Sequence, residues 1–156
     1  METFEWSPEM SLGIVAMDQA HKDFVEELVL LGDASDQELG PKLDIFIPKI
    51  ELDFRVEEEL MEEINFAGIQ GHREQHARVL SALHHVESDV MAGNYGSARE
   101  AIVLLPQWPM FHLSTMDFAL AAELHLLGWA TDPSPVEITQ EEQLRANETA
   151  VLELKI

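Results

Sequence analysis

Four segments of this chain repeat apolar residues with helical period, and each of them stops at a glycine. Between Met17 and Leu31 the residues Met17, Ala20, Phe24, Val25, Leu28 and Leu31 return every three or four positions, which gathers them on one helix face. Gly32 follows and suits a helix end. The second segment runs from about Asp36 to Phe66, with Ile45, Leu52, Val56, Leu60, Met61 and Ile64 as its apolar stripe and Gly68 as its breaker. Pro48 lies inside it, so that helix either starts near the proline or is kinked by it. The third covers Ile69 to Met91, turning Val79, Leu80, Leu83 and Val86 inward before Gly93. The fourth occupies much of Ser97 to Leu127, but Pro106 and Pro109 interrupt it; a break is expected, with the second half starting close to Pro109. Strand-like alternation and fixed-period repeats are both absent.

Four helices with short connections predict an all-α fold, an up-down-up-down four-helix bundle over residues 1–130. Residues 131–156 follow as an acidic C-terminal extension, set off by the linker Asp132-Pro133-Ser134-Pro135. The extension forms either a short helix against the bundle or a tail.

What such a bundle can hold is narrowed by composition. Cysteine is absent, which removes disulfides, thiolate metal sites and cysteine nucleophiles together. Any metal must be held by histidine and carboxylate. Thirty acidic against nine basic residues give a formal charge of −21, a surface that repels phosphate, so nucleic acid is not expected as a partner. That acidity serves solubility, or in part a site, because carboxylates that ligate a cation are neutralised when it arrives. No apolar run approaches the roughly 18 residues that span a bilayer. Met1 to Trp6 carry two glutamates and no basic cluster, unlike a secretory signal, so the expected compartment is the cytoplasm.

Against this background the placement of histidines and carboxylates is informative. His72 and His76 are four apart on the third helix, so their side chains leave one face a turn apart and can share a cation. Asp53 and Glu57 repeat that spacing on the second helix. Glu57, Glu58 and Glu59 together resemble a solvated acidic face, yet Glu57 is in register with Leu60, Met61 and Ile64, and a carboxylate on a buried stripe needs a partner. His112 and Asp117 are five apart on the fourth helix, a poorer match to one face. His21 stands close to the first stripe, three residues after Asp18, and alone reads as structural. Each helix thus contributes candidate ligands near its middle, and in an antiparallel bundle middles lie at one level. Helical bundles build di-iron carboxylate sites in this way. His84 lies eight residues past His76, about 12 Å along a helix, and with His85 and His125 is expected at the surface.

The ordered set of these motifs resembles the haemerythrin family, in particular its bacterial single-domain members. Phe4-Glu5-Trp6, Gly13-Ile14 and Asp18-Gln19-Ala20-His21 resemble its N-terminal signature, and Asp53-Phe54 through Glu57-Glu58 to Met61 its second-helix motif. His72 with His76, and Trp108 with His112 and Asp117, match the third and fourth, so the resemblance covers about residues 4 to 120. It implies a haemerythrin-like bundle holding two non-haem iron ions joined by an oxo or hydroxo bridge. His72, His76 and His112 would hold one iron and His21 the other, with Glu57 and Asp117 bridging; dioxygen would bind the iron with fewer histidines.

One position departs from the pattern: the family has histidine where this chain has Asp53. Three outcomes are open. Asp53 ligates in place of the imidazole, or it is too short and water takes the place, or the second ion binds weakly. An added anion favours ferric over ferrous iron, so the first outcome predicts faster autoxidation than a five-histidine site shows; a long-lived oxygenated form would contradict it. The expected function is binding of dioxygen or a related small molecule for storage, delivery or sensing. The alternatives are a di-iron enzyme that activates oxygen, peroxide or nitric oxide, and a bundle that has lost its metal and serves as an interaction module.

Overall fold

The computed structural model describes residues 4–129, all of whose regular structure is helical. The expected linker and acidic extension lie outside the described residues. A 3₁₀ turn at Pro8–Met10 precedes α1 (Val15–Gly32), α2 (Asp36–Glu63) and α3 (Ile69–Met91). The fourth helix of the bundle is composite: α4 (Tyr95–Leu104), α5 (Gln107–His112), a π-helical turn (Leu113–Asp117) and α6 (Phe118–Leu126). Packing closes a ring, α1 on α2, α2 on α3, α3 on α4 and α4 back on α1. This is the expected four-helix bundle.

α2 starts where Glu38 reaches back to cap the Ser35 amide at 2.8 Å. It then runs unbroken through both Pro41 and Pro48. The carbonyls that lose their partners belong to Gln37 and Asp44, which are exposed along with both prolines, so the missing bonds fall on the solvent side. The apolar stripe of α2 differs from the expected one. Leu39, Leu43, Phe46, Ile47, Ile50, Phe54 and Met61 are buried, whereas Ile45, Leu52 and Val56 face solvent. Those three share a face of their own at steps of seven and four, so a helical period was read correctly and assigned to the wrong side.

The fourth helix breaks at Leu105–Pro106, and its second half begins at Gln107, ahead of Pro109. Proline in a first turn costs no intrahelical bond, because the donors there have no partner to lose.

Two apolar clusters fill the bundle. The larger gathers Phe24, Leu28, Leu31, Leu39, Leu43, Phe46, Ile50, Val79, Leu83, Val86, Ile102 and their neighbours. The smaller is Met17, Met61, Leu120 and Leu124, flanked by residues of the α2–α3 turn. The chemistry-bearing side chains lie between them.

Candidate metal centre

Burial marks the site before any distance does. Among the described residues the buried polar side chains are His72, His76, His112 and Asp117, none more than 3% exposed. Such groups cannot remain in a core without partners. α3 supplies His72 and His76 from its first two turns, and α2 supplies Glu57 from the gap in its stripe between Phe54 and Met61.

The π turn solves the spacing of His112 and Asp117. The Phe118 amide reaches back five residues to the Leu113 carbonyl, so the helix takes one residue more to come round. His112 and Asp117, five apart, therefore both turn inward. A straight α-helix would have presented Met116, Ala119 and Glu123 instead; the last two are exposed here.

Two groups of ligand atoms result, each gathered within 4.8 Å: Glu57 with His72, His76 and His112, and Glu57 with His21 and Asp117. Glu57 belongs to both. Asp117 also spans them, with Oδ1 3.1 Å from Nε2 of His72 and of His112, and Oδ2 3.0 Å from Nε2 of His21. Oε2 of Glu57 lies 3.2 Å from Nε2 of His72 and 3.1 Å from that of His76. The Nε2 atom of His112 is 2.9 Å from that of His72 and 3.2 Å from that of His76.

These separations test whether the donor set fits a cation. Six of the seven expected positions converge, but nearer the α2–α3 turn than the helix middles, because His72 is only the fourth residue of α3. Imidazole nitrogens face one another at 2.9 to 3.2 Å, although a neutral ring has one proton to offer. Both Asp117 oxygens are buried without a hydrogen bond of proper geometry. Ligands about 2.1 Å from an ion at right angles stand about 3.0 Å apart, which is the spacing found throughout this set. The residues fit a metal.

Electrostatics agree with the geometry. Burial opposes protonation of His72, but Asp117 and Glu57 outweigh it and push its pKa up to about 9. Burial would raise Asp117, yet His112, His21 and His72 hold it well below the usual carboxylate range. Glu57 is likewise lowered against burial, by His72 and His76. Burial dominates at His112 and lowers it despite Asp117.

Asp53 stands apart: it belongs to neither group. It is partly buried on α2, one turn before Glu57. Burial raises its carboxyl to about 6, with Lys49 opposing and Asp23 and Glu57 adding to the rise.

Several contributors escaped the sequence reading. Glu58, which resembled a solvated neighbour of Glu57, accepts from Nδ1 of His76 at 3.0 Å and is itself held by Arg73 at 3.1 Å. That pair fixes the ring so that Nε2 points inward. Phe54 stacks on His76 with centroids 3.8 Å apart, and Trp108, already marked in the sequence by the fourth motif, stacks on His112 at 4.4 Å. Asp18, noted only beside His21, ties down the entry to α1 by accepting from the amides of Leu12 and Gly13. His125 donates to the Leu12 carbonyl at 2.8 Å, and His84 and His85 are exposed, as expected.

Over 117 residues the chain is 32% identical to a protein named Bacteriohemerythrin from Ralstonia nicotianae, an alignment covering 75% of this chain and 85% of that protein. The chain belongs to the haemerythrin family. No family model and no solved structure matches it.

Proposed function

We propose that this protein holds two non-haem iron ions between its helices and binds dioxygen or a related small diatomic molecule there, for storage, delivery or sensing. The observation that carries the reading is the pair of ligand groups sharing Glu57, with one Asp117 oxygen turned to each half. His72, His76 and His112 would hold one iron, His21 the other, and Glu57 and Asp117 would bridge. Iron bound there supplies electrons and Lewis acidity toward the small ligand.

The chain supplies the enclosure. Phe54 and Trp108 cover the rings of His76 and His112, and Met17, Met61, Leu120 and Leu124 close the opposite side. Water is thereby kept from the His72 side, where side-chain exposure is nil. Glu58 and Arg73 hold His76 in place. Among the described residues no helix is long and apolar enough to cross a membrane.

A second reading, an enzyme that activates oxygen, peroxide or nitric oxide, is favoured by one observation. Asp53, a partly buried carboxyl one turn before Glu57 that belongs to neither ligand group, is left to give or take a proton beside the centre.

Both readings require the pair of metals. Protein purified from iron-replete cells is expected to contain close to two irons per chain and, in air, to show the visible bands of a bridged ferric pair. One iron or none, without those bands, would overturn the dinuclear reading. Turnover of peroxide or nitric oxide that is lost in Asp53→Asn would favour the enzyme.

A further inference from the structure

The two halves of the centre offer different chemistry. Around His72, His76 and His112 three imidazoles meet Glu57, and Oδ1 of Asp117 approaches two of them at 3.1 Å. Around His21 there is one imidazole, and the other donors are oxygen, Glu57 and Oδ2 of Asp117; Asp53 lies outside the group, one turn before Glu57 on the same face of α2. Enclosure differs as well. His72 and His76 are at most 1% exposed, whereas His21 is 19% exposed and Asp53 is only partly covered.

Donor type governs which ion is preferred. Imidazole suits iron and zinc, whereas carboxylate and water suit manganese and other hard ions. Lys49, one turn before Asp53 on α2, is already shared between Asp23 at 3.4 Å and Glu27 at 3.8 Å. It therefore leaves the negative charge of the His21 half largely in place for a divalent ion. Asp117 supplies an independent pointer to a ligand: it is 1% exposed, its Oδ2 turns toward His21, and neither oxygen has a properly formed hydrogen bond.

We propose that the two metal positions are unequal, the histidine-rich half retaining iron and the His21 half being an exchangeable, oxygen-dominated site that admits manganous ion in competition with iron. The inference rests on the two-metal reading above. It assigns Asp53 the role of setting metal preference, either as a direct donor or through a bound water. Histidine at that position would give both halves imidazole chemistry, and aspartate makes them differ.

The test uses full-length metal-free protein, equilibrated without oxygen against equal ferrous and manganous ion, desalted, and analysed for metal content and by electron paramagnetic resonance. The wild type is expected to retain about one iron per chain firmly and to carry a measurable share of manganese beside iron at the second position, which a chelator strips first. In Asp53→His the manganese share of that position is expected to fall about tenfold, since a group beside the ligands changes metal affinity about 10- to 100-fold. Asp53→Asn, which keeps the size and removes the charge, is expected to lose the second ion and keep the first. Circular dichroism of each variant establishes that the bundle is intact. Two irons per chain, equally resistant to chelator in the wild type and in Asp53→His, would overturn the inference and leave the di-iron reading standing. Fewer than two ions in the wild type and in Asp53→His alike would overturn both.

Discussion

The two ends of the bundle are built differently. On one side of the metal centre, residues of α1, α2, α3 and α4 interlock in a large apolar cluster that includes Phe46, Leu83 and Val86, none more than 1% exposed. On the other side the buried apolar residues reduce to Met17, Met61, Leu120 and Leu124. Hydrophobic stabilisation follows the area buried, so the large end can hold itself together and the small end depends on what joins it to the rest. What joins it is the site, since His21, Glu57 and Asp117 lie on the three elements that carry Met17, Met61 and Leu120. A polar centre placed off-middle thus divides one fold into a self-sufficient part and a part that depends on the centre.

The largest effect that tests this division is in the large cluster. Leu83→Ala is expected to cost about 3–5 kcal/mol in denaturant unfolding, and equally with or without metal. A penalty that depends strongly on metal would break the comparison. Next, removing the metal should open the small end first. Amide exchange in α6 and at the start of α1 is expected to accelerate about 100- to 1,000-fold, matching the roughly 3–4 kcal/mol that a tightly bound ligand adds. Uniform acceleration, including the middle of α2, would show that the ends are not separate units.

A pH series sharpens the contrast further. His72 rises from an ordinary 6.5 to about 9 in the metal-free fold, so below 9 a metal must displace its proton. Affinity of the histidine-rich half is expected to increase about tenfold per unit toward pH 9 and then level off, as read by competition with a coloured chelator. Metal-free stability runs the other way. The contribution of protonated His72 is complete below 6.5 and lost as pH climbs through about 9. The smallest effect belongs to Asp53, raised from 3.8 to about 6. Its ionisation in the fold is unfavourable, a cost absent below 3.8 and complete above about 6. Asp53→Asn is therefore expected to stabilise the metal-free protein near pH 7.5 by on the order of 1 kcal/mol, reduced by partial solvation, and to change nothing at pH 4. Thermal melts at the two pH values measure it.

Much of this was legible in the sequence, for physical reasons that differ from residue to residue. The bounds of α3 and the inward side of α1 follow from apolar period alone, because those helices carry one stripe each. α2 carries two, and period cannot say which of them meets the core; its neighbours decide that. His72 and His76 announce themselves by spacing of four. Glu58 does not, since its partners His76 and Arg73 sit on another helix and local pattern is blind to cross-helix pairs. The convergence of His21 with Asp117 is likewise a property of packing. Asp53 was singled out by its spacing from Glu57 and by comparison with a family pattern, and only the fold shows that it stays outside the groups that converge.

The π turn has a consequence for length variation along the chain. One additional residue between His112 and Asp117 rotates everything after it by about 100°. That rotation turns Leu120 and Leu124, as well as Asp117, toward the interior. Deleting any single residue from Leu113 to Met116 would restore an ordinary helix with His112 and Asp117 four apart, so that Asp117, Leu120 and Leu124 stay on the inward face together. Elsewhere within a helix of this bundle a one-residue deletion turns every later side chain of that helix by about 100°. Here the π turn would absorb it, and the chemistry and the packing of that end would keep their register together.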